Sequence, residues 1–142
     1  MSDFDSCYAM RDGKLVLRGL VNHSLPNDTA AYITGGVYTK DKVGFTNGRL
    51  EIHAKLNGAT GAWPAFWLLP QDGKWPGGGE IDIMERLNND SIAYQTVHSH
   101  YTFDLGIKDN PKQGSTGLIN PDDFNTYTVC LLYTSDAADD LT

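Results

Sequence analysis

Between Gly48 and Leu56 the chain reads GRLEIHAKL, and its strict alternation restricts what the chain can build. Leu50, Ile52, Ala54 and Leu56 fall on one side of an extended backbone, with Arg49, Glu51, His53 and Lys55 on the other. Such a strand wets one face and needs a second layer to cover the other. Shorter strand signals flank it. DGKLVLRG, residues 12–19, reads as a turn entering a strand, GGVYTK, residues 35–40, as a strand, and TYTV, residues 126–129, as another. WPAFWLLP, residues 63–70, is apolar on both faces and suits a central strand between two layers. Residues 80–85 and 92–98 read as two further strands joined by the LNND turn, residues 87–90. From Tyr101 to Asn125 the pattern dissolves into a long loop rich in Gly, Asn, Asp and Pro. Fifteen glycines and six prolines spread over 142 residues fit short strands and turns better than long helices. The expectation is an all-β chain, a single-domain β-sandwich with no internal repeat or linker.

The net charge of −7 with scattered Lys and Arg argues against nucleic acid as a partner. No run approaches the ~20 apolar residues of a membrane span, and the start, MSDFDSCYAM, lacks the basic and then apolar regions of a secretion signal. Cys7 and Cys130 permit either a pair or free thiols.

GGGEIDIMER, residues 77–86, raises a problem of parity. Glu80 and Asp82 share one face of a strand, whereas Glu85, an odd number of positions from both, should face the other way. On spacing alone the acids fit a solvated strand face that ends at Glu85 beside Arg86. The interleaved Ile81, Ile83 and Met84 argue for burial on one side instead. A β-bulge at Ile83 or Met84 would add one residue and return Glu85 to the face of the other two acids. The Cα atoms of Glu80 and Glu85 would then lie roughly 13 Å apart at ~3.3 Å per residue, and their side chains could lean to the ~5 to 5.5 Å separation of a retaining glycosidase. In that chemistry one carboxylate is the nucleophile and the other carboxyl the acid and then the base. Asp82 between them would hydrogen-bond the nucleophile and help keep the other Glu protonated.

The runs GRLEIHAKL, GAWPAFWLLP, WPGGGEIDIMER and YQTVHSHYT resemble glycoside hydrolase family 16, and most closely its laminarinase-like branch of endo-β-1,3- and mixed-linkage glucanases. The E-x-D-x-x-E pattern, WPAFW upstream and Trp75 five residues before Glu80 carry the resemblance, which covers about Gly35 to Val129. It implies a concanavalin-like jelly roll of two antiparallel sheets with a polysaccharide lying across the concave face. It also implies Glu80 as nucleophile, Asp82 as its assistant and Glu85 as acid/base. Trp75 is implied as a sugar platform, the alternative being a core Trp, and Trp63 fits either role, while Trp67 in PAFWL is expected in the core. His98 either reaches the cleft or is a hydrogen-bonded structural His. Arg49 and Glu51 are candidate sugar contacts; the family strand often reads E-x-R where this chain has Glu51 and His53. His100 and Tyr101 would begin a loop at the cleft end. No cofactor is expected. A structural calcium occurs in the family, but no ligand cluster here assigns one. The resemblance implies a secreted or cell-surface enzyme, monomeric when complete, acting on β-glucan. Activity on red-algal galactans and a non-catalytic glycan-binding protein on the same fold are the alternatives.

The tail CLLYTSDAADD, residues 130–140, does not continue the family pattern and resembles the translation of a transposase adapter used in sequencing libraries. Residues 1–129 are therefore expected to be the N-terminal part of one catalytic domain, with 130–142 a non-native tail and Cys130 not a biological cysteine. Met1 falls where the family already has preceding sequence, so the start is expected to be clipped too. A sandwich without its later strands exposes apolar edges. Expressed alone, residues 1–142 are expected to aggregate and to be inactive; a monodisperse, cooperatively unfolding monomer that cuts laminarin would overturn this.

Overall fold

The computed structural model describes residues 4–23, 25 and 28–132. Most of the tail, residues 133–142, lies outside the described residues. The chain divides into two compact units, Met1–Lys42 and Val43–Thr142.

In the first unit a 3₁₀ turn, Asp5–Cys7, leads into strands β1 (Tyr8–Arg11) and β2 (Lys14–Leu17), which pair antiparallel with Arg11 opposite Lys14. The two linking residues, Asp12 and Gly13, both have positive φ, 50° and 70°, as a tight hairpin turn requires. Strand β3 (Gly19–Val21) pairs with β4 (Tyr32–Thr34). Here the strand expected at residues 35–40 is displaced: the β-branched and aromatic residues just before Gly35 form the strand, and the two glycines end it. Gly35 donates its N–H to the Arg18 carbonyl at 3.0 Å, and a Cβ on it would collide with the carbonyl oxygen of Cys7. Cys7 is fully buried and Cys130 exposed, and both are free thiols.

The second unit holds β5 (Gly48–Ala54), β6 (Ala65–Leu68), β7 (Glu80–Glu85), β8 (Ile92–His98), β9 (Gly114–Leu118) and β10 (Asn125–Leu131). Strands β6–β7–β8–β9 form one antiparallel sheet in that order, and β10–β5 form a second pair. Leu50, Ile52 and Ala54 of β5, with Tyr127 and Val129 of β10, pack toward Phe66, Leu68, Ile81, Met84 and Ala93 of the larger sheet, and Ile83 is buried with them. The alternation of GRLEIHAKL thus faces the core as expected, and the LNND segment turns between β7 and β8.

Two further expectations change. Strand β6 borders the four-stranded sheet instead of lying at its centre. Its second apolar face, Ala65 and Trp67, is not core, because Trp67 lies opposite Asp82. The long loop from residue 101 contains β9, whose GSTGL sequence has no apolar alternation because its burial pattern is almost wholly exposed. Strand pairing also runs two residues past Val129, with Cys130 opposite Arg49 and Leu131 opposite Gly48.

Arg86 is 4 % exposed and ties loops together from within, donating from Nη1 to the Leu56 carbonyl and from Nε to the Asp90 carbonyl at 2.6 Å. Nearby, the Tyr127 hydroxyl is buried without a hydrogen-bond partner among the described residues. A buried hydroxyl left unpaired costs about 1–3 kcal/mol. Tyr127→Phe, which deletes only that oxygen, is therefore expected to raise stability by about 1 kcal/mol in urea unfolding of the full-length protein; a loss of stability would show that the hydroxyl is satisfied.

Candidate active site

Strand β7 carries one residue more than its neighbours. On β8, Glu80 faces His98, Asp82 faces Thr96 and Glu85 faces Tyr94, so three steps from Asp82 to Glu85 match two steps from Thr96 to Tyr94. On β6, Met84 faces Phe66 and Asp82 faces Trp67, two steps against one. The extra residue therefore lies at Ile83 or Met84, where parity placed it. His98, Thr96 and Tyr94 share a face of β8 by simple alternation, so Glu80, Asp82 and Glu85 share a face of β7. The other side of β7 supplies the core.

Each acid has its own partner on that face. Trp75 Nε1 donates to Glu80 Oε2 at 2.7 Å, and Trp63 Nε1 donates to Glu85 Oε1 at 2.6 Å. His98 Nε2 stands 3.3 Å from Asp82 Oδ2, within ion-pair distance, and His98 Nδ1 is buried with no partner among the described residues. Asp82 is 4 % exposed, and burial pushes its carboxyl up to about 6, with Glu85 and then Glu80 adding to the rise and His98 opposing it.

The indoles remain open. Trp63 is 65 % exposed, Trp75 49 % and Trp67 37 %, so each keeps a ring surface available above the acid face. Trp75 also meets Phe103 edge to face, with ring centroids 4.5 Å apart and planes at 66°, and His98 lies within 6.3 Å of both rings. Phe103 belongs to a single π-helical turn, His100–Asp104, capped by Ser99 and pinned by buried Thr102, whose hydroxyl donates to the Val97 carbonyl at 3.0 Å.

Of the residues singled out in the sequence, the structure brings together Glu80, Asp82, Glu85, Trp75, Trp63 and His98. Arg49 and Glu51 are not among them. They pair with each other, and Glu51 accepts from Thr128 Oγ1 at 3.2 Å, on the wet side of the β5–β10 pair. The apolar side of that pair faces the core, so its wet side lies across both layers from the acids. Phe103 and Trp67 were missed. Phe103 has no sequence signal inside a polar loop, whereas Trp67, opposite Asp82 in the hairpin, follows once the bulge is placed.

Among the described residues no group of three or more His, Cys, Asp and Glu is arranged to hold a metal ion, and no helix is long and apolar enough to cross a membrane.

The family model described as XgeA-like, catalytic GH16 domain, matches residues 37–137. The chain belongs to glycoside hydrolase family 16. The keratan-sulfate endo-1,4-beta-galactosidase of Sphingobacterium multivorum is 37% identical over 130 residues, 86% of this chain and 29% of that protein. The beta-glucanase of Rhodothermus marinus is 39% identical over 80 residues, 52% of this chain and 28% of that protein. The solved laminarinase from Rhodothermus marinus superposes with a TM-score of 0.78 at 27% identity, covering 89% of this chain and 51% of that one. The chain thus spans less than a third of those two curated relatives and about half of the solved laminarinase. Its fold is the family's all-β jelly roll.

Asp82 gives a signed prediction. With its folded pKa near 6 against 3.8 unfolded, the folded state holds a proton between these values that the unfolded state has released. That contribution to stability is full below about pH 4 and is lost as pH rises through 6, a fall of about 3 kcal/mol. Asp82→Asn cannot titrate, so relative to wild type it is expected to gain by up to that amount between pH 4 and pH 7 in urea unfolding. Parallel pH curves for the two proteins would refute the buried, raised carboxyl.

Proposed function

We propose that this chain supplies the catalytic face of a retaining, endo-acting β-glucanase that hydrolyses β-1,3 or mixed β-1,3/1,4 glucans. The observation that carries the reading is the gathering of three carboxylates onto one sheet face by the β7 bulge, each with a different polar partner.

Glu80 is the nucleophile. Its carboxylate attacks the anomeric carbon as the glycosidic C–O bond breaks, and Glu85 passes its proton to the departing oxygen. Glu85, now ionised, then takes a proton from water, whose oxygen attacks the same carbon and releases Glu80. Two displacements at one carbon leave its configuration as it began. The Trp75 N–H holds Glu80 from one side. Asp82, whose proton is retained up to about pH 6, limits the negative charge massed beside Glu80 and Glu85. Trp75, Trp63 and Trp67 offer aromatic faces to the apolar faces of pyranose rings.

A second reading has one specific support. Among the relatives described above, the longest match is to the keratan-sulfate endo-1,4-beta-galactosidase, which points to a β-galactoside as substrate. Three carboxylates gathered on one face oppose a sulfated, polyanionic chain and favour a neutral one.

The test uses the full-length protein on laminarin, mixed-linkage β-glucan, agarose and keratan sulfate, with reducing ends counted and the anomer of the first product read by NMR. Hydrolysis of the two glucans with a β-configured first product is expected. Glu80→Gln should lower the rate on the order of 10⁴-fold or more while polysaccharide binding survives. An α-configured first product, or activity retained by Glu80→Gln, would reject the mechanism, and cleavage confined to the galactans would reject the glucan assignment.

A further inference from the structure

A bulge sets one residue outside the regular ladder, and slipping it back would turn the residues beyond it to the opposite face. In β7 the residue at stake is Glu85. The bulge is held from the neighbouring strand: Gln95 Nε2 donates to the Ile83 carbonyl oxygen at 3.2 Å, and Ser115 Oγ donates to Gln95 Oε1 at 3.0 Å. Ser115 stands directly opposite Gln95 in the β8–β9 pairing. With Oε1 engaged by the hydroxyl, the donor end of the amide is the end aimed at the bulge. On β8, Gln95 lies between Tyr94 and Thr96, the residues opposite Glu85 and Asp82, so it spans the interval in which β7 gains its extra residue. Its side chain projects on the other side of the sheet from the acids and does not reach the face where substrate would lie.

We propose that Gln95 is a positioning residue for Glu85, clamping the β7 bulge through the Ile83 carbonyl with Ser115 as its orienter. The inference rests on the reading of Glu85 as acid/base. With the clamp in place, the carboxyl keeps the reach needed to protonate the departing oxygen. Without it, β7 samples pairings in which Glu85 points away, and the step that depends on its proton slows while ground-state binding of the sugar is little changed.

The decisive comparison is between two leaving groups. Breaking a glycosidic bond in a polysaccharide needs the proton of Glu85, whereas an aryl glycoside with a dinitrophenyl leaving group departs without one. In the full-length protein, Gln95→Met keeps the volume and removes the donor. It is expected to lower kcat on polysaccharide about 10- to 100-fold with KM nearly constant, and to leave the pre-steady-state release of dinitrophenol close to wild type. Ser115→Ala should shift the same ratio of rates less, and the double variant no further than Gln95→Met alone. If Gln95→Met does not fold, Ser115→Ala carries the test by the same ratio. An unchanged ratio, whether both rates are normal or both fall together, overturns the clamp. Glu85→Ala separates this from a failure of the underlying reading. Azide should restore its turnover of the aryl glycoside and yield a β-glycosyl azide. Rescue by azide with an unchanged Gln95→Met ratio would reject Gln95 and leave Glu85 as acid/base; no rescue would reject both.

Discussion

One extra residue in β7 is the constraint on which the site depends. A regular strand starting at Glu80 would place Glu80 and Asp82 on one side and Glu85 on the other, in the layer filled by Ile83, Met84 and Ala93. A carboxylate there would be desolvated among apolar side chains. The bulge resolves both demands at once. Glu85 joins the other acids on the open face, and Arg86, the next residue, turns inward to donate to the Leu56 and Asp90 carbonyls. The same parity change therefore aims an acid outward and an arginine inward.

Gathering three carboxylates on one strand creates a charge problem that the surroundings answer unevenly. Asp82, in the middle and 4 % exposed, is the member burial affects most, and its proton is held up to about pH 6. The outer two lie nearer to water, and each takes an indole N–H instead of a full positive charge. An indole donates without carrying charge, so it orients a carboxylate without neutralising it. For the proposed reaction this leaves Glu80 charged enough to attack and Glu85 free to give up and regain a proton, which two arginines would hinder.

The sequence made the strands with an apolar face visible, because burial leaves a period of two in the residues themselves. GRLEIHAKL met that test and packs as its pattern requires. The bulge was legible for the same reason, as a break in parity at Ile83 and Met84 between residues whose types left little doubt about their preferred sides. Strand β9 was not legible. It borders the sheet, its GSTGL side chains are mostly wet, and what defines it is backbone pairing with β8, to which side-chain identity contributes little. Residues 35–40 misled in the opposite way, since Val37 and Tyr38 have strand propensity but follow two glycines that had already ended β4. Phe103 was invisible because its place beside Trp75 depends on a turn capped by Ser99 and Thr102, a contact made across the end of the sheet.

Arg49 and Glu51 show why alternation fixes a face but not its destination. A two-layer sandwich has two wet outer surfaces, and a strand in either layer shows the same polar-apolar pattern. The pattern of β5 correctly separates Leu50 and Ile52 from Arg49 and Glu51, yet it cannot say whether the wet side borders the acids or lies across the core from them. The pairing decides: β5 joins β10, the acids lie on β7, and the apolar sides of the two layers meet. Polar residues on β5 are thereby removed from the acid face by the thickness of the core, and the sugar contacts proposed for that face must come from β6–β9 and the loops entering them. Trp63 just before β6, Trp75 just before β7 and Phe103 just after β8 all occupy such positions. Strand register thus sets where the acids point, while the segments leading into and out of the same sheet set what surrounds them.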